Sequence, residues 1–452
     1  MPVNLSLTLE QLEQLTKKYP SFYIYDADII SYNATQFINT FRKHIPNFEQ
    51  YFAVKALPNP AIMKILQDCG MGFDCSSKLE LIMAKQIGSN KIMYTSNFTS
   101  VEDLEFALSQ KVIINLDDID GLENLKIALD NTKAELPELI CFRLNPCHDN
   151  IGKINSEIKS NVLGGPDTKF GIPDTKIVEA YEKALNMGFK KFGIHVMTGS
   201  CIMKVNYWKE LIYVVFDSIN NIYQKLGITF EFLDLGGGIG IPYKPHKTRI
   251  NIDYLADIIA ESINENIVKY DLPFKPNIIM ENGRYITGPY GWLVSKCKSI
   301  KSGFQDKKFY GLNVCMAQLM RPGMYNAYHH ITVPRLEPYD KLSLGRFDMI
   351  NMSIFTHDIV NVSNLSFDMV NVVGTLCENN DWFAKNRPLP KGIKKEDIFI
   401  IYDCGAHCIS MSNNYNGNLR PPELLLETVD NKLTIRLIKH GETDEYILKN
   451  FT

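Results

Sequence analysis

Short runs of apolar and β-branched residues alternate with amphipathic stretches over roughly the first two thirds of the chain. Eight such runs occupy residues 51–56, 72–77, 92–96, 112–116, 139–144, 192–198, 230–235 and 278–282. Apolar residues between these runs recur at helical spacing, as in residues 60–68, 78–86 and 252–269. Runs that are apolar at nearly every position are typical of parallel strands that crossover helices bury on both faces. Eight such repeats predict an α/β fold, a (β/α)8 TIM barrel over residues 30–287.

The pattern changes after about residue 288. Strand-like runs at 292–298, 308–314, 369–376, 398–403 and 433–439 dominate there, with denser Pro and Gly. They predict a C-terminal, mostly antiparallel β domain over residues 288–452. An early run at 22–25 precedes the barrel, so we expect residues 1–29 to pair with the C-terminal domain. We interpret residues 152–167 as a loop insertion after the fifth barrel strand.

Composition narrows the class of protein. The 452 residues carry 48 Lys and Arg against 51 Asp and Glu, and 45% are hydrophobic. These values are ordinary for a globular protein, and the net charge of −3 argues against a nucleic-acid partner. No run of 18 apolar residues and no signal-peptide pattern occurs, so we expect no membrane span, a cytoplasmic location and reduced thiols. Cys404, His407 and Cys408 form the one metal-like cluster; they have no second ligand pair, so we predict a buried turn and no metal site.

Three features fall where predicted barrel strands end, which is the edge that carries active sites in this fold. Lys55 ends the first run inside apolar sequence, and such a lysine is suited to Schiff-base chemistry. Glycines at 236–238 follow the seventh run, where their N–H groups can converge on a phosphate. The eighth run ends in Glu281, Asn282, Gly283 and Arg284, which offer a carboxylate, a further amide and a guanidinium.

One ligand requires a lysine, a phosphate cradle and a carboxylate together. Pyridoxal 5′-phosphate would bond through its aldehyde to Lys55, place its phosphate in the glycine loop and present its ring nitrogen to Glu281. A carboxylate at that nitrogen keeps the ring protonated, so that the ring withdraws electrons more strongly. The sequence therefore predicts this cofactor and no metal.

The chain also resembles a known family, the fold-type III pyridoxal-phosphate decarboxylases, and within it the diaminopimelate decarboxylase-like branch. The resemblance runs nearly end to end, in a barrel superfamily that includes alanine racemase. It rests on FAVKA at 52–56, FDCSS at 73–77, KFGI at 169–172, GS at 199–200, GGG at 236–238, ENGR at 281–284, MRPGMY at 320–325, CE at 377–378 and YN at 415–416.

The resemblance implies roles for individual residues. Lys55, Cys377 and Glu281 correspond to catalytic residues, with Cys377 a general acid that the partner protomer of a homodimer supplies. The positions that correspond to cofactor ligands are Lys55, His195, Met197, Ser200, Gly237, Gly238, Glu281, Gly283, Arg284 and His407. The positions that correspond to ligands of the substrate's far end are Arg284, Arg321, Tyr325 and Glu378. Tyr415 falls near the site without an assigned contact.

Three positions depart from the family pattern. Met197 stands where the family usually has a histidine that stacks on the cofactor ring; either His195 replaces that histidine or the thioether packs on the ring. His407 stands where a tyrosine is common, and Asn379 follows Cys377 and Glu378 where serine is common. These departures concern the substrate and suggest a side branch of the family.

The resemblance implies an α-decarboxylase of a basic or diamino acid, with meso-diaminopimelate or a related compound as substrate. Side-branch alternatives are D-ornithine or D-lysine, or a siderophore precursor such as N-citryl-ornithine. An amino-acid racemase shares the barrel and the cofactor, but the segment from Cys377 to Asp381 argues for a decarboxylase. A cofactor-carrying homeostasis protein is typically a single barrel, so the C-terminal domain argues against it.

Overall fold

The computed structural model describes residues 2–146, 163–336 and 366–451. The chain divides into two compact units. The barrel unit comprises Ala34–Ile241 and Ile250–Ile286, and the sheet unit comprises Met1–Asn33, Pro242–Arg249 and Thr287–Thr452. Part of the expected loop insertion, residues 152–162, lies outside the described residues.

Eighteen strands and twelve α-helices are present in the described ranges. The strands are β1 (Ser21–Asp26), β2 (Glu49–Ala53), β3 (Gly72–Cys75), β4 (Ile92–Ser96), β5 (Ile113–Leu116), β6 (Leu139–Asn145), β7 (Ile172–Pro173), β8 (Lys191–Val196), β9 (Phe230–Asp234), β10 (Asn277–Met280), β11 (Gly291–Ser302), β12 (Lys308–Leu312), β13 (Ile331–Thr332), β14 (Phe367–Val373), β15 (Trp382–Pro390), β16 (Ile398–Ile401), β17 (Glu423–Val429) and β18 (Lys432–Lys439). The helices are α1 (Leu9–Lys18), α2 (Ala27–His44), α3 (Pro60–Asp68), α4 (Lys78–Gln86), α5 (Val101–Gln110), α6 (Gly121–Thr132), α7 (Ile177–Met187), α8 (Asn206–Leu226), α9 (Ile252–Lys269), α10 (Arg284–Thr287), α11 (Arg321–Tyr325) and α12 (Asp444–Leu448).

The predicted TIM barrel is confirmed. Strands β2, β3, β4, β5, β6, β8, β9 and β10 pair in parallel in that order, and β10 pairs back with β2 to close the ring. One boundary prediction was wrong at a position that matters for the site. The first barrel strand ends at Ala53, and residues Val54–Ala56 form a 3₁₀ turn, so Lys55 lies beyond the strand.

Side chains from alternate strands fill the amino-terminal end of the barrel. Tyr51, Met93, Cys141 and Phe232 come from β2, β4, β6 and β9, and they pack together with Ile279 in one buried cluster. Layers of four side chains from alternate strands are the usual filling of this fold. The layer leaves no room for another side chain at position 193, because a Cβ there would lie 2.2 Å from Cζ of Phe232.

Polar caps fix where several barrel helices begin. Asn59, Ser77, Ser100 and Asn251 each accept a hydrogen bond from a backbone N–H in the first turn of α3, α4, α5 and α9. A cap of this kind stabilises a helix by about 1 kcal/mol, since it satisfies a donor that the helix cannot. Each cap therefore fixes the residue at which a barrel loop ends and the following helix begins.

The sheet unit contains a separate, mostly antiparallel sheet, as the sequence predicts. Its strand order is β15-β14-β12-β11-β1-β17-β18, and β16 pairs with both β11 and β13. Strand β1 from the start of the chain pairs antiparallel with β11 and parallel with β17. The pair β12 and β14 is also parallel. Among the helices described in either unit, none is both long and apolar enough to cross a bilayer.

The packing of Phe232 on Gly193 gives a testable stability prediction. We expect Gly193→Ala to lower the free energy of unfolding by about 1–3 kcal/mol, because the added methyl group overpacks the barrel. Adding Phe232→Leu should recover part of that loss, since the shorter side chain vacates the space. Urea unfolding of both single variants and the double variant checks this coupling; strictly additive losses would contradict it.

Candidate active site

Four buried ionisable side chains lie at the carboxyl ends of barrel strands. Asp74 is in β3, His195 in β8 and Asp234 ends β9, while Glu281 directly follows β10. Each is at most 5% exposed. Charged side chains are almost never buried unless they are paired or serve a function, so this cluster marks the site.

The cluster is centred on the Glu281 carboxylate. Oε2 of Glu281 lies 3.4 Å from Nε2 of His195, and one ligand atom from each of His195, Asp234 and Glu281 lies within 4.8 Å of the others. His195 and Asp234 occupy paired positions on adjacent strands, which brings their side chains together. Oε1 of Glu281 and Oδ2 of Asp234 have no hydrogen-bond partner among the described residues.

The pKa values of Asp234 and Glu281 shift in opposite directions. Burial, then the charge of Glu281, raises the pKa of Asp234 well above its usual range. Burial would also raise the pKa of Glu281, but His195 and then Lys55 outweigh it and hold that pKa below the ordinary value. Two neighbouring carboxyl groups avoid double ionisation in this way. The ionised form is therefore favoured at Glu281 and the protonated form at Asp234.

The glycine loop is tied to both acids through its backbone. The N–H of Gly236 donates to Oδ1 of Asp234 at 2.8 Å, and the N–H of Glu281 donates to the carbonyl of Gly236 at 2.8 Å. Side chains are excluded at the next two positions. A Cβ at Gly237 would lie 2.4 Å from the carbonyl oxygen of Glu281, and one at Gly238 would lie 2.4 Å from that of Gly199.

The loops after β8, β9 and β10 hold one another in place. Ile202 donates its N–H to the carbonyl of Gly238 at 2.8 Å, which joins the loop that carries Ser200 to the glycine loop. Oδ1 of Asn282 accepts from the N–H of Ile239 at 3.2 Å, and its Nδ2 donates to Gln50. Together these bonds make a rigid, Gly-rich rim of the kind that binds phosphate groups.

The remaining predicted ligands of this rim lie beside it. Nη2 of Arg284 donates to Oγ of Ser200 at 3.4 Å, so these two predicted residues are in contact. Gly283 is buried, and a Cβ there would lie 2.5 Å from that of Ala56. This close approach ties the ENGR segment to the 3₁₀ turn that carries Lys55.

Lys55 is exposed, in contrast to the expectation of a lysine enclosed in an apolar strand end. It is the exposed member of the 3₁₀ turn, between buried Val54 and Ala56. Its charge nevertheless acts on the cluster, because it lowers the pKa values of Asp74, Glu80 and Glu281 relative to burial alone. The lysine is therefore open at the mouth and electrostatically coupled to the acids below it.

Met197 and His195 occupy different places. His195 is 1% exposed and lies against Glu281, whereas Met197 is half-buried at the end of the strand. The Met197 sulfur accepts a hydrogen bond from the N–H of Gly237 at 3.3 Å. The backbone carbonyl of Met197 accepts another from Nη2 of Arg143 at 3.3 Å. The thioether thus packs on the glycine loop, and His195 is the deeper of the two.

Several charged side chains of this site were not predicted from the sequence. Asp74 lies within the FDCSS motif, yet no role was predicted for it; burial, then Glu281, raises its pKa well above the usual range. Arg143 is buried in β6, with Nη1 3.4 Å from Asp117 and its guanidinium over the ring of Phe170 at 4.6 Å. A charged residue within an otherwise apolar strand run was the available signal.

The other predicted residues belong to the sheet unit. Arg321 is buried at the start of α11, and Tyr325, four residues later, is 46% exposed. Cys377 is exposed and Glu378 half-buried on the loop between β14 and β15. Oδ1 of Asp381 accepts from the N–H of Met316, and its Oδ2 accepts from that of Leu376, which fixes the base of this loop. His407 is half-buried with φ of 54°, and Tyr415 is exposed.

Comparisons with known proteins bear directly on this site. Residues 34–288, which include the whole barrel, match the model for the pyridoxal-dependent decarboxylase, pyridoxal binding domain. The chain belongs to this family.

Similarity extends beyond the barrel to nearly the whole chain. Protein TabA of Pseudomonas amygdali pv. tabaci is 34% identical over 94% of this chain and 90% of its own. The diaminopimelate decarboxylase of Methanothermobacter thermautotrophicus is 32% identical over 89% and 86%. The crystal structure of diaminopimelate decarboxylase from M. jannaschii in complex with L-lysine superposes with a TM-score of 0.81 at 27% identity, over 98% of this chain and 94% of that one. This chain is thus a carboxy-lyase of the diaminopimelate decarboxylase-like branch, with pyridoxal phosphate as cofactor.

The residues of the barrel unit fit that cofactor. The buried Oε1 of Glu281, which is unpartnered within the described ranges, is suited to accept from a protonated ring nitrogen. The glycine loop offers backbone donors where side chains are excluded, as a phosphate requires. His195, Asp234 and Glu281 also match a metal-ligand set in spacing. The match over residues 34–288 is to a pyridoxal binding domain, which favours the organic cofactor at this cluster.

The glycine loop gives a prediction about cofactor binding. Gly238 has φ of +101°, and Gly227 has φ of +67° with open space around it. We expect Gly238→Ala to weaken pyridoxal phosphate binding about tenfold to hundredfold, because the methyl group collides with Gly199 and shifts the loop. The control Gly227→Ala adds a methyl group at a left-handed φ in open space away from the loop, and it should bind the cofactor normally. Titration of the apoprotein with cofactor checks this, and equal affinities would contradict it.

Asp403, in the sheet unit, gives a prediction about pH. Burial raises its pKa from 3.8 to about 7, against the opposing charge of Arg249. The unfolded chain loses this proton near pH 4 and the folded chain near pH 7, so stability falls as the pH rises between these values. Asp403→Asn, which suits the left-handed φ of 57°, should remove that part of the fall.

Urea unfolding at pH 5 and pH 8 measures the effect. Asp271→Asn is the matched control, since Asp271 is exposed and has a similar φ of 50°. We expect the difference in the free energy of unfolding between pH 5 and pH 8 to be smaller in Asp403→Asn and unchanged in Asp271→Asn. Parallel profiles for Asp403→Asn and the wild type would contradict the assignment.

Proposed function

We propose that the protein is an α-decarboxylase of diamino acids that carry a second carboxylate, with meso-diaminopimelate as the first candidate substrate. The observation that carries the proposal is the combination of two features. Similarity to diaminopimelate decarboxylases spans about nine tenths of the chain or more. The sheet unit also contains Arg321 buried at the start of a helix with Tyr325 exposed at its end, a pair able to bind a distal carboxylate.

In this proposal the residues of the barrel unit bind the cofactor and stabilise the charge on its ring. Lys55, which is exposed at the mouth of the barrel, would hold the cofactor through its aldehyde. The rim formed by Ser200, Gly237, Gly238 and Arg284 would bind the phosphate, and the Glu281 carboxylate would hold a proton on the ring nitrogen. Pyridoxal phosphate, when bound, supplies the electron sink that takes up the electron pair left on the α-carbon when the carboxylate departs as CO₂.

Cys377 completes the proposed reaction as general acid. Its thiol is exposed on a loop that Asp381 anchors, so it is available to a second chain. In the homodimer that the family resemblance implies, Cys377 of one protomer protonates the substrate α-carbon at the site of the other. Glu378, next to it, would face the distal end of the substrate.

A side-branch substrate is the second candidate. Met197, His407 and Asn379 differ from the residues that the family usually carries, and Met197 packs on the glycine loop itself. These differences favour a relative of diaminopimelate, such as D-ornithine, D-lysine or N-citryl-ornithine. Release of CO₂ from a panel of these compounds and meso-diaminopimelate separates the candidates. Loss of optical rotation without CO₂ release would instead indicate a racemase.

The covalent role of Lys55 gives a direct prediction. We expect Lys55→Ala to lose both CO₂ release and the visible absorption band of the bound cofactor, because no other amine replaces the lysine. Lys64→Ala removes an exposed lysine of α3 that pairs with Asp68, and it should retain both. Borohydride trapping followed by peptide mass spectrometry should find the pyridoxyl group on Lys55. Full activity in Lys55→Ala would refute the proposed function.

A further inference from the structure

A fully buried histidine contacts the predicted substrate-binding arginine. His329 is 0% exposed, and its Nε2 lies 2.7 Å from Nη1 of Arg321, which is 8% exposed. On the other side of the ring, Nδ1 lies 2.7 Å from the carbonyl oxygen of Tyr402. All three residues belong to the sheet unit.

The two partners dictate which nitrogen carries the hydrogen. A carbonyl oxygen only accepts, so Nδ1 of His329 must donate to Tyr402. A guanidinium only donates, so Nε2 must offer its lone pair to Arg321. The ring is therefore neutral in this arrangement. A second proton on Nε2 would place an N–H against the N–H groups of Arg321 and set two positive charges 2.7 Å apart.

Two side chains hold the Arg321 guanidinium, one at its edge and one on its face. His329 accepts from the edge of the guanidinium, and the ring of Tyr243 lies 4.5 Å from its central carbon. The rings of His329 and Tyr243 also meet edge to face at 5.3 Å. Nη1 of Arg387 donates to the carbonyl of His329 at 3.0 Å, which fixes the histidine backbone.

The charge of the residue that holds Arg321 determines whether Arg321 can bind an anionic ligand. A carboxylate in the place of His329 would fix the guanidinium equally well but would cancel its charge. A neutral imidazole fixes the guanidinium and leaves the positive charge for a ligand. An arginine aligned in this way is suited to a bidentate bond with a carboxylate, because little orientation remains to be lost on binding.

We infer that His329 is a positioning residue that sets the specificity of the enzyme for amino acids with a distal carboxylate, through its neutral ring bonded to Arg321. The inference rests on the proposed function, in which Arg321 binds that carboxylate. In this proposal His329 acts only through Arg321. Its loss should therefore affect how well the distal carboxylate is bound, and leave the rate of the bound complex nearly unchanged.

The test compares three variants of the holoenzyme with meso-diaminopimelate as substrate and L-lysine as competitive inhibitor. His329→Phe keeps the ring but loses both hydrogen bonds, and should raise KM for meso-diaminopimelate about tenfold to hundredfold with little change in kcat. The same variant should leave unchanged the inhibition constant of L-lysine, which lacks the second carboxylate and competes for the same site in the proposed function. His329→Gln retains an acceptor for Arg321 and should restore most of the affinity. His330→Phe changes the adjacent histidine, which packs on the Tyr402 ring, and should behave as wild type.

Either of two results for His329→Phe would overturn the inference. One is an equal loss of affinity for meso-diaminopimelate and for L-lysine in His329→Phe, which a merely structural role produces. The other is the absence of any KM change. A His329→Gln variant no better than His329→Phe would also contradict it, since the acceptor is then irrelevant.

A measurement without substrate separates this inference from the proposed function. The ¹⁵N spectrum of the histidine rings in the holoenzyme, with the His329 signals identified by their loss in His329→Phe, should show hydrogen on Nδ1 alone at neutral pH. A doubly protonated ring, or hydrogen on Nε2, would overturn the inference whatever the substrate. Failure of the wild type to release CO₂ from any of the amino acids would instead refute the proposed function.

Discussion

The site depends on keeping one carboxylate ionised inside the barrel. Glu281 is 5% exposed, and a buried charge of this kind is costly unless neighbours compensate it. His195 at 3.4 Å and the charge of Lys55 provide that compensation, while burial raises the pKa of Asp234 and so disfavours a second negative charge beside it. An ionised Glu281 is what a protonated ring nitrogen requires. The other parts of the barrel site are arranged around this condition.

The same loop connects the two ends of the cofactor-binding region. Gly236 donates to Asp234 and accepts from the N–H of Glu281, so the backbone that precedes the phosphate cradle is bonded to the residues of the buried pair. A shift of the glycine loop would therefore disturb Glu281, and the reverse holds as well. Close packing at Gly237 and Gly238 leaves the loop little freedom to shift. Rigidity of this kind is typical of sites whose groups must act together.

Much of the architecture was predictable because buried parallel strands have a strong sequence pattern. The eight apolar runs correspond to the eight barrel strands, and the glycine loop and the ENGR segment follow β9 and β10 as expected. Strands β15 and β17 were missed: β15 contains Lys385, Arg387 and two prolines, which are unusual in strands. The 3₁₀ turn at Lys55 also has no distinct pattern, because its apolar neighbours simply continue the strand.

Contacts between distant segments were beyond the reach of a single sequence. Asp234 was hidden at the end of an apolar run, and its role depends on a neighbour 47 residues away in β10's loop, Glu281. His329 follows the MRPGMY motif closely, but only the fold brings the carbonyl of Tyr402 to its other nitrogen. Propensity and spacing identify residue types at strand ends; protonation and tautomer follow from three-dimensional neighbours.

The most direct test of the account is Glu281→Gln in the reconstituted enzyme. The amide has the shape of the carboxylate without its charge, so the cofactor should still bind and give its visible band. Without a carboxylate to hold the ring proton, CO₂ release should fall by about a hundredfold or more. Unchanged CO₂ release with the cofactor bound would contradict the central role of the buried carboxylate.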